Sequence, residues 1–146
     1  MLHYRSLVHG LSAPRYWDVG DDDREFRYNN YISRYHQRHL DLMDLLALYQ
    51  GRNYVQLDEL ARLLGFPGKL GMDGSKVWEA FLAGQIDSIR NYCETDAANT
   101  YLVFLRFQLL RGAFDDAHHR REVELVRSTL GKSKDVHWRE FVRRWS

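Results

Sequence analysis

Two residues of one helical segment, Tyr92 and Asp96, have types and a spacing that could do chemistry. Residues four apart lie on one face of a helix, so the phenol and the carboxylate are neighbours. An ideal helix places them on one stripe with Asn99 and Val103, at the margin of the apolar face. A carboxylate at such a margin can reach a cleft without full burial, which suits a metal ligand. The neighbouring stripe, predicted to be the buried one, holds Ile86, Ile89, Cys93, Ala97, Thr100 and Phe104.

The same spacing has a second interpretation, in which the tyrosine packs on the core and the aspartate faces water. Other acids are alternatives for metal binding. Asp23 and Glu25 spell Asp-x-Glu, but they lie in an acidic loop and no apolar strand precedes them. Asp41 is either a ligand-like carboxylate at a strand end or an acid that caps the following helix, with Asp44 in its first turn.

The histidines and the lone cysteine are weaker candidates for metal binding. His36 and His39 have His-x-x-His spacing, yet on a loop-to-strand segment this spacing does not turn both rings towards one metal. His118 and His119 are predicted to face solvent. Cys93 is the only cysteine, which excludes an intramolecular disulfide and a multi-cysteine zinc site. A reducing cytoplasm is the predicted location.

The composition fits a single globular domain of 146 residues, with 45% hydrophobic and 28% charged residues. The net charge of +1 does not point to a nucleic-acid partner. An acidic cluster spans residues 18–25, and a basic segment follows Arg111; either could be solvated surface, and the basic one could instead follow a phosphate backbone. The apolar runs are far shorter than a membrane span, so no membrane partner is expected.

The hydrophobic pattern predicts helices with one strand between them. The predicted helices cover residues 2–10, 43–49, 56–64, 75–82, 87–110, 117–130 and 136–145. Residues 38–42 are the strand candidate, 11–37 a long loop that is functional or partly ordered by its aromatic residues, and 68–74 a glycine-rich turn. A lone strand leaves its backbone groups unpaired. Either the fold is all helix or the partner strands lie outside the sequence, and the uncapped start at Met1 favours the second.

Residues 91–101, Asn-Tyr-Cys-Glu-Thr-Asp-Ala-Ala-Asn-Thr-Tyr, resemble motif III of the DEDDy-type 3′–5′ exonucleases. They are most similar to the predicted exonucleases related to the proofreading domain of B-family DNA polymerases. Three upstream blocks follow in the family's order, at residues 39–44, 57–65 and 68–78. The resemblance covers residues 1–112, and residues 113–146 form a predicted helical basic tail of unknown role.

The resemblance implies an α/β fold of the ribonuclease H-like class, truncated to its mostly helical C-terminal part. It implies hydrolysis at the single-stranded 3′ end of a nucleic acid, with two divalent cations (Mg²⁺ or Mn²⁺) held by four carboxylates. In this reading Asp96 is a metal ligand and Tyr92 positions the attacking water. Lys69 and Lys76, around the glycine turn, either contact the phosphate backbone or are solvated.

Two of the family's three motifs do not occur in this sequence. The family places an Asp-x-Glu at a strand end and an Asn-x-x-x-Phe-Asp further on, whereas Phe114 and Asp115 lie on the wrong side of motif III. We therefore expect the isolated chain to be an inactive fragment or nearly so. One alternative is a non-catalytic helical module that binds nucleic acid or protein. Another is a split enzyme, in which a missing N-terminal segment or a separate chain supplies motifs I and II.

Overall fold

A computed structural model describes residues 2–33 and 38–145 of the chain, which divides into two compact units, Met1–Asp41 and Leu42–Ser146. The first unit contains α1 (Leu2–Val8), α2 (Pro14–Trp17) and α3 (Arg24–Tyr28). The second contains α4 (Leu42–Leu46), α5 (Leu57–Leu63), α6 (Val77–Leu82), α7 (Ile86–Leu110), α8 (Asp116–Gly131) and α9 (Val136–Arg143). Two short 3-10 turns, Gly51–Asn53 and Gly74–Lys76, precede α5 and α6.

The predicted α/β ribonuclease H-like fold is wrong, because no residue in the described ranges belongs to a strand. The described part of the strand candidate, residues 38–42, is irregular until Leu42, where α4 begins. With no neighbouring strand to pair its backbone groups, this segment gains nothing from an extended ladder. The architecture is all-helical. His36 and the rest of residues 34–37 lie outside the described residues.

The first unit is ordered by aromatic contacts rather than by long helices. Tyr16 stacks on Tyr31 with ring centroids 5.5 Å apart, and the guanidinium of Arg15 lies 3.7 Å from the centre of the buried Phe26 ring. The side chain of Asp23 caps α3 by accepting a hydrogen bond from the Phe26 N–H. Two short helices therefore interrupt the predicted loop 11–37, which confirms that its aromatic residues order part of it.

The second unit has a continuous hydrophobic core built by α5, α7 and α9. Leu102 and Leu105 of α7 pack with Phe141 of α9, and Phe66 and Trp145 lie beside them. The tail predicted for residues 113–146 forms α8 and α9, and it supplies two of these core residues. Within the described residues, none of the helices is both long and apolar enough to cross a membrane.

Most helix boundaries agree with the sequence prediction to within two residues, and the caps explain why. The side chain of Asp115 accepts a hydrogen bond from the His118 N–H at 2.6 Å and so fixes the start of α8. The predicted cap Ser75 instead gives its own N–H to Asp73, which starts the 3-10 turn before α6. The helix at 43–49 ends early, since Leu48 and Tyr49 adopt positive φ.

Candidate active site

Helix α7 presents a different face to the core from the one predicted. Its buried side chains include Thr95, Asn99, Leu102 and Val103, whereas Cys93 is exposed. Ile86, Ala97 and Thr100, also of the predicted buried stripe, are exposed. The buried face is centred on Thr95, Asn99 and Leu102, and the stripe that carries Tyr92 and Asp96 borders it. Both side chains are therefore half-buried at the edge of the packed interior, and neither lies on an open surface.

Tyr92 is held in its neutral form by this position. Burial is the main cause that raises the pKa of its phenol to about 12, and the neighbouring Asp96 carboxylate is the second. Its hydroxyl also faces the glycine-rich connector, because a Cβ added at Gly74 would lie 3.5 Å from it. At neutral pH the phenol keeps its proton, so it can act as a hydrogen-bond donor but not as a base.

Asp96 has a carboxylate oxygen without a hydrogen-bond partner. Its Oδ1 atom is buried and accepts no hydrogen bond from the described residues. A buried acceptor without a partner is unfavourable by about 1–3 kcal/mol, and more when it belongs to a charged group. A cation or a ligand's donor would satisfy this oxygen, but only after neighbouring side chains move, because the atom has almost no contact with solvent.

The connector that approaches Tyr92 is fixed by polar contacts at both of its sides. On α7, the fully buried Asn99 accepts the Gly68 N–H at 3.1 Å and donates to the Gly68 carbonyl at 2.9 Å. On α5, Asp58 accepts the Lys69 N–H at 2.6 Å, and Arg62 donates to the Lys69 carbonyl. Gly68 itself has φ of +68°, and a side chain there would collide with Asp58. The loop therefore has one position relative to α5 and α7.

Lys69 and Lys76 both face carboxylates of their own segment. The Lys69 ammonium lies 3.3 Å from Asp73, and the Lys76 ammonium lies 3.5 Å from Glu79. The Ser75 N–H, followed by Lys69, lowers the pKa of Asp73 to about 2, so this carboxylate stays ionised. The charge of each lysine is thus partly compensated, although Lys76 is well exposed.

A cavity of about 240 Å³ opens beside Tyr92. Its lining residues are Leu70, Met72, Ser88, Asn91, Tyr92, Thr95 and His137. His137 belongs to α9 and its ring Nε2 lies 2.7 Å from the carboxylate of Glu94, which also pairs with Arg90. Sequence reasoning missed His137, because 43 residues separate it from Glu94 and no local pattern links the two. The segment 113–146 is thereby tied to the turn of α7 between Tyr92 and Asp96.

The described residues do not assemble a site for two divalent cations. No group of three or more His, Cys, Asp or Glu side chains within residues 2–33 and 38–145 could hold a metal ion. Asp23 is engaged as the cap of α3, and Asp44 accepts a hydrogen bond from the Tyr54 hydroxyl. Asp41 directly precedes α4. Among the described residues, Asp96 thus belongs to no such group.

Comparison with known proteins gave one match. Residues 1–145 match the family described as predicted 3′-5′ exonucleases related to the exonuclease domain of PolB. The match extends over α8 and α9 as well as over the motif on α7. No curated protein and no solved structure matches the chain.

Proposed function

Because the chain belongs to the family of predicted 3′-5′ exonucleases related to the exonuclease domain of PolB, we propose that Tyr92 and Asp96 are its contribution to an exonuclease site. The substrate is the single-stranded 3′ end of a nucleic acid, and the reaction is hydrolysis of its terminal phosphodiester. Asp96 is a ligand of a divalent cation, and Tyr92 positions the attacking water. The enzyme acts in the cytoplasm.

The observation that carries this proposal is the orphaned Oδ1 of Asp96, on the same face of α7 as Tyr92. Carboxylate oxygens are the ligands that Mg²⁺ and Mn²⁺ prefer in proteins. A cation bound there satisfies an oxygen that otherwise lacks a partner. Without a cation, burial of this carboxylate oxygen would be an uncompensated loss of hydration.

The chemistry divides between the bound cations and the side chains of this chain. Divalent cations in such sites supply an activated water and stabilise the leaving oxygen. The pKa of the Tyr92 phenol is about 12, so at neutral pH it stays protonated and cannot accept the proton of the water. Its role is therefore to orient the attacking water by a hydrogen bond. The two hydrogen bonds between the Asn99 side chain and the Gly68 backbone support this role, since they fix the connector that passes the phenol.

One carboxylate is too few to hold two cations, so the chain alone should hydrolyse nucleic acid very slowly or not at all. The remaining carboxylates would come from another segment or from a separate polypeptide.

The experiment is Mn²⁺ titration of the isotope-labelled chain, followed by paramagnetic broadening of its backbone amide signals. We expect selective broadening around residues 92–100, lost in Asp96→Asn. Asp87→Asn is the matched control, because Asp87 is an exposed aspartate in the first turn of the same helix. Equal broadening in wild type and Asp96→Asn would refute the assignment of Asp96 as a ligand.

A hydrolysis assay on a labelled single-stranded oligonucleotide tests the second part of the proposal. With Mg²⁺ or Mn²⁺ present, we expect no nucleotide release above background by the purified chain. Metal-dependent release that disappears in Asp96→Ala would show that the chain has a complete site of its own. It would leave the role of Asp96 intact and overturn the predicted inactivity.

A further inference from the structure

Positive charge is concentrated at the C-terminal end of the sequence. Residues 117–146 contain eight Lys and Arg against four Asp and Glu, a net charge of +4. Since the whole chain has a net charge of +1, residues 1–116 carry −3. This asymmetry was visible in the sequence, but only the structure tells which of the cations are neutralised by neighbours.

None of the three arginines of α8, Arg120, Arg121 and Arg127, forms an ion pair among the described residues, and two of them share one face of the helix. Arg143 and Arg144 share Glu140, whereas no ion pair of Arg120 or Arg127 occurs in the described part of the chain. Arg120 and Arg127 are exposed and seven residues apart, so they project from one face of α8 about 10 Å from each other. Glu124 lies near this face but forms no ion pair with either arginine.

Aromatic contacts connect Arg127 to a third arginine, Arg106 of α7. Arg127 donates to the Trp145 carbonyl at 3.4 Å, and its guanidinium lies 5.8 Å from the Trp145 ring centre. Trp145 meets Phe66 edge to face at 5.9 Å, and the Arg106 guanidinium lies 5.9 Å from the Phe66 ring centre. Flat rings thus hold two guanidinium groups without using a carboxylate.

His119 lies near both Arg106 and Arg120, and a histidine cannot supply the negative charge that would neutralise them. It is only 6% exposed, and its Nε2 atom has no hydrogen-bond partner, as is also true of the Arg106 Nε atom. Burial lowers the pKa of His119, and Arg106 and Arg120 lower it further while Asp116 opposes them. Two buried nitrogens in this region, Arg106 Nε and His119 Nε2, therefore lack an acceptor among the described residues.

We propose that Arg106, Arg120 and Arg127 form an arginine face that binds the phosphate backbone of single-stranded nucleic acid. Arginine forks match phosphate oxygens in a bidentate geometry, and aromatic packing fixes them in advance. Arg106 lies on the same helix, α7, as Tyr92 and Asp96, and the ten residues from Asp96 correspond to about 15 Å along the helix axis. The arginine face would hold the strand whose 3′ end reaches Tyr92. The orientation of the strand towards Tyr92 rests on the proposed function, whereas binding of the strand to the arginines does not.

The test is fluorescence anisotropy of a labelled oligothymidylate with the purified chain, in EDTA and over a series of NaCl concentrations. For single strands, each phosphate contact contributes about 0.7 to the slope of log Kobs against log salt. The Arg120→Gln, Arg127→Gln double variant should lose roughly 1.4 from this slope and bind at least about tenfold more weakly. Arg121→Gln with Arg52→Gln is the matched control, because it removes two exposed arginine charges outside the proposed face, one on another side of α8 and one before α5.

The control pair should keep the wild-type slope. Equal losses in both double variants, or wild-type binding that does not depend on salt, would overturn the proposal. Arg120→Gln alone is also measured, because Arg127 contacts Trp145 and its loss could loosen α9. Asp96→Asn should leave binding in EDTA unchanged, so a failure of the exonuclease proposal and a failure of the arginine face give different results.

Discussion

The two units of the chain bury their apolar side chains in different ways. In Leu42–Ser146, long helices bring apolar stripes together and enclose Leu102, Leu105 and Phe141 completely. In Met1–Asp41, the described helices span four to seven residues, and Leu7 and Val8 of α1 are each 78% exposed. Phe26 is the large buried side chain of this unit, and an arginine lies against its ring.

The comparison teaches that helix length decides where a core can form. A helix of two turns or less offers too few residues on one face to cover a neighbour, and short helices are marginal in water by themselves. The 25 residues of α7 give α5, α8 and α9 a shared surface. The candidate site lies on this helix and the arginine face on α7 and α8, so both depend on the stability of the second unit.

The largest expected effect is on that core. Phe141→Ala should lower the free energy of unfolding by about 3–5 kcal/mol, because it removes a fully buried ring and leaves a cavity. Phe26→Ala should disorder the first unit and leave the main denaturant transition, followed by far-ultraviolet circular dichroism, in place. If both variants shift that transition equally, the units unfold as one and the comparison breaks down.

A second effect on stability is expected from the hydrogen bonds between Asn99 of α7 and the connector. Asn99→Ala leaves the buried N–H and carbonyl of Gly68 without partners, each unfavourable by about 1–3 kcal/mol, so we expect a loss of about 2–6 kcal/mol. Chemical denaturation measures it. Thr100→Ala, the exposed neighbour on α7, is the control and should change stability by less than about 0.5 kcal/mol. A loss in Asn99→Ala no larger than the control's would show that the connector is not held by these hydrogen bonds.

The smallest expected effect is a pH dependence of the stability of the second unit, caused by His119. The pKa of His119 is lowered in the folded state, mainly by burial and then by Arg106. As pH falls through the ordinary histidine value of about 6.5, the unfolded chain gains a proton that folded His119 does not, so stability decreases. His119→Phe should flatten the dependence of the melting temperature on pH between neutral and mildly acidic solution. Identical pH profiles in His119→Phe and the wild type would exclude His119 as the cause.

Local signals predicted the helices of the second unit well. Gly65 and Pro67 close α5, Gly84 separates α6 from α7, and Asp115 starts α8, all of which depend on residues a few positions apart. The prediction failed at residues 38–42, because a short apolar run fits a strand or a helix start equally well. It also failed for the buried face of α7 and for His119, since neither is decided by the helix alone.

The sequence by itself determined the positions of the main helices, the family and the pairing of Tyr92 with Asp96 on one helix face. These follow from residue types and from spacings within a few turns. Only the tertiary structure decided that this face borders the buried one, that Asn99 holds Gly68 and that His137 pairs with Glu94. The physical reason is that each of these depends on contacts between helices far apart in the chain. Burial and electrostatics of a side chain are properties of such contacts, and no local pattern encodes them.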